Sequence, residues 1–242
     1  MADKPTPDEL KRRYEESRKK AVASFPFARI ESAGDQALAG WQDLVTSGRG
    51  ASVVVGDYDA LARIAEMMPD LPRFTRKSTQ EVLEIAGRIR HPDDMIGQRT
   101  IELAEVGEWP TTVPEMPQLS VAVDPRSGAP LAQVYIVTVP TDDWTTIPAY
   151  LRWGNWNDCP APEYHVAALR SWRDRFGAEL IGLGHDVMNI RVKRRPTTRA
   201  EALDLAREQY SYCSDIVEQG VGSLSALAAA LMEHDWWFFW WD

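Results

Sequence analysis

The sequence predicts an α+β fold, with helices packed on a mixed, largely antiparallel sheet and a smaller α/β region at the N-terminal side. Three patterns lead to this prediction. A short apolar segment at residues 51–56 is typical of a buried strand, and two amphipathic helices follow it. In the second half of the chain, strand-like segments are separated by turn residues, as β-hairpins require. The chain closes on an unbroken aromatic run at residues 236–241.

The same patterns divide the chain into three parts. Residues 1–50 are predicted to form a helical arm, and residues 51–117 a small α/β region that ends in a linker. Residues 107–117 are assigned to that linker because they are rich in Pro, Glu and Thr. Residues 118–242 are then predicted to fold as the C-terminal α+β domain.

Several helix starts can be located from their N-cap residues. A Ser or Thr followed three residues later by Glu can form a capping box, in which each side chain accepts a hydrogen bond from the other residue's backbone N–H. The pairs with this spacing are Thr6 and Glu9, Ser78 and Glu81, and Thr198 and Glu201. Asp57 and Ser223 also precede helical patterns, so a helix is expected after each of them.

Two β-hairpins are predicted in the C-terminal half. In the first, residues 119–123 and 131–139 form strands on either side of turn residues at 124–128. In the second, residues 178–183 and 187–192 are joined by a tight turn.

The aromatic run at residues 236–241 must be buried or must bind something, because six large rings in water would promote aggregation. A strand that is apolar on both faces is typical of the interior of a sheet, where each face is covered. We therefore predict that this strand lies inside the sheet, with helices packed over it.

Composition and charge exclude several classes of function. The chain has 242 residues and a net charge of −9 without a long basic segment, so nucleic-acid binding is not expected. An acidic surface suits a basic protein partner. The first residues do not resemble a signal peptide, and no apolar segment is long enough for a membrane helix. The two cysteines are expected to be reduced thiols, so we predict a cytoplasmic protein with no membrane partner.

The sequence lacks the common motifs for metal, phosphate and dinucleotide binding. The four histidines do not pair with one another or with cysteine at a metal-binding spacing, and no Cys-x-x-Cys occurs. Gly182 and Gly184 end a strand but lead into another strand, unlike the dinucleotide fingerprint. We therefore expect neither a cofactor nor a metal ion.

One alternative is a catalytic site formed by Cys159, His165 and His185. Cys159 lies just before a predicted helix and His165 follows one to two turns later, so the pKa of the thiol could be lowered to give a thiolate nucleophile. Asn157 or Asp158 could orient the pair, and the three residues could instead hold a metal ion. The simpler interpretation is a structural cysteine in a loop, with His185 at an exposed turn.

The loop at residues 153–157 is the better candidate for binding. Its alternating Trp and Asn residues combine flat apolar surfaces with amide groups, and Trp is frequent in binding surfaces. The end of a later helix could face this loop. The predicted binding residues are Trp153, Asn155, Trp156, Asn157, Tyr210, Tyr212 and Asp215. The alternative is that the aromatic side chains fill the core while the Asn side chains bond turn backbone groups.

Several blocks of the C-terminal half resemble, in the same order, a bacterial family catalogued as domain of unknown function 4253. The blocks are residues 153–160 (WGNWNDCP), 177–180 (GAEL), 196–198 (PTT), 206–210 (AREQY), 215–217 (DIV) and 240–242 (WWD). The resemblance implies a bacterial, cytoplasmic C-terminal module attached to variable N-terminal regions, and it brings no catalytic residues with it.

These observations favour a non-enzymatic cytoplasmic module that binds a protein partner. Small acidic bacterial proteins of uncharacterised families are sometimes immunity proteins, so the partner could be a toxin that this chain neutralises. Two alternatives stay open. One is a small thiol- or metal-dependent, hydrolase-like enzyme, and the other is a small-ligand-binding protein.

Overall fold

The computed structural model of the chain describes residues 6–69, 76–94 and 105–242. Its α-helices are α1 (Pro7–Ala23), α2 (Ala37–Thr46), α3 (Tyr58–Met67), α4 (Thr79–Ala86), α5 (Ile147–Tyr150), α6 (Pro162–Phe176), α7 (Arg199–Tyr212) and α8 (Leu224–Glu233). Its strands are β1 (Ala28–Ser32), β2 (Ala51–Gly56), β3 (Val134–Val139), β4 (Glu179–Leu183), β5 (Val187–Arg191) and β6 (Trp236–Trp240). Short 3-10 helices cover Gly34–Gln36, Ser120–Ala122 and Trp144–Thr146, and a π-helical segment covers Ile216–Val221. None of the helices in these ranges has the length and apolar composition to cross a bilayer.

The strands form one sheet in the order β1-β3-β2-β4-β5-β6. Only β2 and β4 run parallel to each other, and every other neighbouring pair is antiparallel. The predicted α+β class is therefore confirmed. The sheet draws strands from each of the three predicted parts of the chain. The division of the chain into these three parts stays a prediction.

The predicted helix starts are confirmed, with one difference in bonding. Thr6 and Ser78 form complete capping boxes, and the side chains of Asp57 and Ser223 each accept a backbone N–H of the helix that follows. At the third pair, Thr198 accepts the Glu201 N–H, but the Glu201 carboxylate accepts the N–H of Thr197, one residue before the cap. The predicted third capping box is therefore wrong in one of its two bonds.

The second predicted hairpin is confirmed by β4 and β5, but the first is wrong. Residues 120–122 form a 3-10 helix, and a single bridge joins Val123 to Pro130. The physical reason is the buried side chain of Asn189, whose Oδ1 accepts a hydrogen bond of 3.2 Å from the Val121 N–H. This backbone N–H therefore has a partner without pairing to a neighbouring strand. Strand β3 pairs instead with β1 and β2.

The closing aromatic run forms β6, which among the described strands pairs with β5 alone and lies at one edge of the sheet. The prediction of an interior strand is wrong, although Trp237 and Phe239 are fully buried. Trp172 of α6 stacks on Phe239 with ring centres 5.3 Å apart, so helices cover this face. On the opposite face, Phe238 and Trp240 are half-buried and line a groove together with loop residues 114–117 and part of the π-helical segment.

The core lies on both faces of the sheet. The larger part packs α3, α6, α7 and α8 against one face, and the smaller part packs α2 against the other. Within the larger part, Glu208 of α7 is buried and accepts hydrogen bonds from His91, Trp172 and Arg175. Burial raises the pKa of Glu208, but the bonds and charge of His91 and Arg175 outweigh it and hold the pKa below its usual value.

Candidate functional site

The carboxyl ends of the parallel pair β2 and β4 are one place where a site can form. Carboxyl ends of parallel strands meet at one edge of a sheet, and ligands commonly bind in the crevice outside them. Here α3 follows β2, and the turn at residues 184–186 follows β4. The loop at residues 153–157 is attached to that turn, because the buried Trp153 indole donates a hydrogen bond of 2.7 Å to the carbonyl oxygen of Gly184.

This loop has an unusual backbone. Arg152, Asn155 and Asn157 have φ values of 51°, 70° and 43°, and Gly154 has a φ of 108°. Non-glycine residues in this region cost about 1 kcal/mol each, and such residues concentrate at functional sites. The conformation is held by a 2.9 Å bond from the Asn155 N–H to the Pro160 carbonyl and by a 2.7 Å bond from Asn157 Nδ2 to the Asp242 backbone oxygen.

Two adjoining depressions border the loop and share Arg76, Gly154 and Asn155; together we call them the cleft. The outer depression has a volume of about 330 Å³, and its other lining residues are Arg63, Met67, Trp156 and His185. The inner depression has a volume of about 290 Å³, and its other lining residues are Lys77, Val82, Arg152, Ala161, Pro162 and Glu163.

The cleft is basic although the whole chain carries a net charge of −9. Four cationic side chains line it, and among the described lining residues the one carboxylate is Glu163. The cationic residues are Arg63, Arg76, Lys77 and Arg152. A concave surface lined by charges of one sign attracts groups of the opposite sign. The arrangement therefore favours an anionic group in or at the mouth of the cleft.

The predicted binding residues of the loop occupy different positions. Trp156 is half-buried and lines the outer depression, with its ring centre 5.0 Å from that of Trp153 in an edge-to-face contact. Asn155 lines both depressions, whereas Asn157 is exposed and bonds the C-terminal residue. The Trp153 side chain is completely buried and does not line the cleft. The structure thus places Trp156 and Asn155 where a ligand could contact them.

The other predicted binding residues lie outside the cleft. The Tyr210 hydroxyl donates a 2.6 Å bond to Glu218, and burial together with this bond raises the pKa of Tyr210 to about 12. Asp215 accepts the backbone N–H of Asp242 over 3.1 Å, which ties the π-helical segment to the chain end. Tyr212 is buried in the core. These contacts are packing and capping contacts.

The structure brings Cys159 and His165 together, with Sγ 3.5 Å from Nε2. The other imidazole nitrogen, Nδ1, lies 2.5 Å from the Tyr212 hydroxyl, so the three side chains form a chain of contacts inside the core. Gly154 lies directly over the imidazole, because a Cβ at that position would be 2.7 Å from His165 Nε2. The backbone of the loop therefore separates the pair from the cleft.

The expectation of a lowered thiol pKa at Cys159 is wrong. Burial, with a smaller contribution from Cys213, raises the pKa of Cys159 far above its usual value. Burial also lowers the pKa of His165 to about 3 and raises that of Tyr212. A neutral thiol beside a neutral imidazole is not a nucleophile pair in this conformation. His185 does not join them, because it bonds Asp186 over 2.9 Å at the rim of the cleft.

Sequence reasoning missed the cationic residues of the cleft and Glu163. The cations lie on α3, in the segment before α4 and just after α5, and none has a local motif. The only available signal was the position of Glu163 in the first turn of α6, which is favourable for an acidic residue whatever its function. In the described ranges, no group of three His, Cys, Asp or Glu side chains is placed to hold a metal ion.

Comparison with known proteins bears on the C-terminal part. Residues 135–242 match the model of a family described as a domain of unknown function, DUF4253, which confirms the resemblance seen in the sequence. No curated protein and no solved structure matches the chain. The match begins inside β3 and contains the loop, Arg152 and Glu163, whereas Arg63, Arg76 and Lys77 precede it. The cleft therefore combines residues of the matched domain with residues of the N-terminal region.

Proposed function

We propose that this chain, whose residues 135–242 match the DUF4253 model, is a non-enzymatic protein-binding module and that the cleft with its Trp156 rim is the binding surface. One observation carries the proposal: Trp156 stands half-buried beside Arg63 and Met67 at a basic cleft of an acidic protein. Trp and Arg side chains dominate the energetic centres of protein interfaces, and Met is also enriched there.

The loop is preorganised for such a role. Its buried bond from Trp153 to Gly184 and its bond from Asn157 to Asp242 hold the Trp156 backbone from both sides. A surface that is already ordered loses less conformational freedom on binding, so more of the contact energy appears as affinity.

The charge of the cleft restricts the class of protein that we expect to bind there. Net charge alone suggested a basic partner, but Arg63, Arg76, Lys77 and Arg152 favour one that presents an acidic segment at this surface. Two free, buried cysteines are compatible with a cytoplasmic location, which we include in the proposal. We also include an immunity-type role, in which the partner is a toxin that the chain neutralises.

A co-purification experiment with matched variants tests the proposal. The tagged full chain is recovered from its native host as the wild type and as Trp156→Ala or Arg63→Glu. The controls are Tyr14→Ala and Arg12→Glu, because Tyr14 and Arg12 are exposed on α1 and do not line the cleft. We expect a stoichiometric protein with the wild type and both controls and its loss with both cleft variants. Equal recovery with all five proteins, or no partner in repeated attempts, would contradict the proposal.

Small-ligand binding is a second candidate, because of Glu163. Its side chain is 5% exposed, and its Oε1 is bonded by Lys77. Its Oε2 is buried and meets no donor among the described residues, and Glu163 is one of the residues that line the inner depression. A ligand with an N–H donor would satisfy this oxygen. Titration with L-arginine, followed by Trp fluorescence, is then expected to saturate in the wild type and not in Glu163→Gln. Absence of a saturable change for L-arginine and for L-lysine would remove the support for this candidate.

A further inference from the structure

The sheet has a second edge, formed by β1, that is open to solvent. Strand β1 pairs with β3 on one side, and no strand of the described residues pairs with it on the other. Four of its five residues are exposed, including Ile30 at 44%. Such an edge presents unpaired backbone N–H and C=O groups, and natural proteins commonly protect it with charges.

The charges on β1 have a particular symmetry. Arg29 and Glu31 flank Ile30, so the strand is charge-complementary to itself when a second copy runs antiparallel to it. With Ile30 opposite Ile30, each Arg29 lies opposite a Glu31, and directly opposed side chains have Cβ atoms about 4.5–5.5 Å apart. The edge charges therefore attract a second copy in this register.

Other registers lack this complementarity. A shift of two residues in one direction places Arg29 opposite Arg29, and the same shift in the other direction places Glu31 opposite Glu31. Like charges directly opposite each other destabilise a strand pair. A shift of one residue turns every side chain to the other face of the sheet. One register is thus selected by charge and by the alternation of faces.

We propose that β1 pairs antiparallel with β1 of a second copy of this chain, centred on Ile30, so that two sheets join into one continuous sheet. The contact is a two-fold symmetric interface in which the same patch is used by both copies, as in most homodimers. It goes beyond the proposed partner-binding function, because β1 is separated from the β2–β4 edge of the cleft by β3. A five-residue strand buries little surface, so the association is weak and depends on concentration.

Charge reversal and charge exchange test this contact by sedimentation equilibrium of the full chain from about 10 μM to about 1 mM. The variants are Arg29→Glu, Glu31→Arg and the double exchange R29E/E31R, with Arg12→Glu as a charge control on exposed α1. Circular dichroism and urea unfolding show whether each variant is folded. Only variants that fold are compared.

We expect the wild type, the control and the double exchange to dimerise with similar dissociation constants, and each single reversal to weaken dimerisation by at least about tenfold. The double exchange still places an opposite charge across from each charged residue. It therefore distinguishes the pairing of two strands from the mere loss of one side chain. A wild type that stays monomeric up to 1 mM overturns the proposal. So does dimerisation of the single reversals with wild-type affinity, or a double exchange that stays as weak as the single reversals.

Discussion

Trp153 Nε1 donates a 2.7 Å hydrogen bond to the carbonyl oxygen of Gly184, and the indole is completely buried. This bond joins the loop at residues 153–157 to the turn that follows β4. Because it fixes one wall of the cleft to another, the geometry of the proposed binding surface depends on it.

Replacement of Trp153 by Phe is therefore expected to lower the free energy of unfolding. The substitution keeps a buried ring but leaves the Gly184 oxygen without its donor, which costs about 1–3 kcal/mol beyond the lost volume. Trp241→Phe is the matched control, because the Trp241 indole N–H is buried and meets no acceptor among the described residues. Urea unfolding measures both variants. Equal destabilisation by the two substitutions would show that the bond contributes nothing.

Gly154 is expected to tolerate no side chain. A Cβ there would collide with the Pro160 carbonyl oxygen and lie 2.7 Å from His165 Nε2, and its φ of 108° is already unfavourable for other residues. Gly154→Ala should cost about 3 kcal/mol or more of stability. Gly128→Ala is the control, because its φ is 69° with no atom within 4 Å, and it should cost only about 1 kcal/mol. Equal losses of unfolding free energy in the two variants, measured by thermal or urea unfolding, would show that the space above His165 is not restricted.

His165 is expected to make the protein acid-sensitive. Burial lowers the pKa of its imidazole from its usual 6.5 to about 3, so between these values the unfolded chain binds a proton that the folded chain does not. The resulting stability is present above pH 6.5 and is lost as the pH falls towards 3.

The pH dependence of unfolding measures this effect. Between pH 6.0 and 5.0, where most carboxylates are still ionised, the free energy of unfolding should fall by up to roughly 1.4 kcal/mol per pH unit from this group. In His165→Gln, which cannot titrate, that contribution should disappear. If the variant keeps the slope of the wild type, the imidazole is not the group responsible.

Both cysteines are expected to react slowly in the folded protein. Burial raises the pKa of Cys213 to about 12 and that of Cys159 further, so little thiolate is present at pH 8. Iodoacetamide at pH 8, followed by peptide mass spectrometry, should label both residues quickly in urea and slowly without it. Fast labelling of Cys159 alone in the folded protein would instead favour the thiol-enzyme alternative.

Much of the fold could be predicted because its signals are local. Capping residues located the helix starts, and the strand and turn pattern of residues 178–192 located β4 and β5. The partners of a strand are not local information. The sequence around β3 predicted a hairpin, but β3 pairs with β1 and β2, which lie about 80 to 110 residues earlier in the chain.

The edge position of β6 could not be predicted for a similar reason. Apolar residues on both faces show that both faces are covered, but they do not show what covers them. In this protein helices cover Trp237 and Phe239, whereas Phe238 and Trp240 are half-buried beside loop residues 114–117 and the π-helical segment, with which they line a groove. A strand can therefore be apolar on both sides and still lie at an edge.

For the site, residue type and spacing identified part of the arrangement. Trp156 and Asn155, which the loop sequence singles out, line the cleft, and their role in binding stays a prediction. Cys159 and His165, which their spacing pairs, are in contact. The spacing could not show that the contact is buried, because burial depends on Gly154 and the chains packed above it. The basic character of the cleft could not be predicted, since its cations come from separate segments of an acidic chain.

Binding of the partner at the cleft is tested by its affinity for the purified Trp156→Ala variant, measured by isothermal titration calorimetry beside the Tyr14→Ala control. Both positions carry a partly exposed aromatic ring, but only Trp156 borders the cleft. We expect Trp156→Ala to weaken binding by at least about tenfold, and we expect the control to bind as the wild type does. Equal affinity of the two variants would show that the partner binds elsewhere on the molecule.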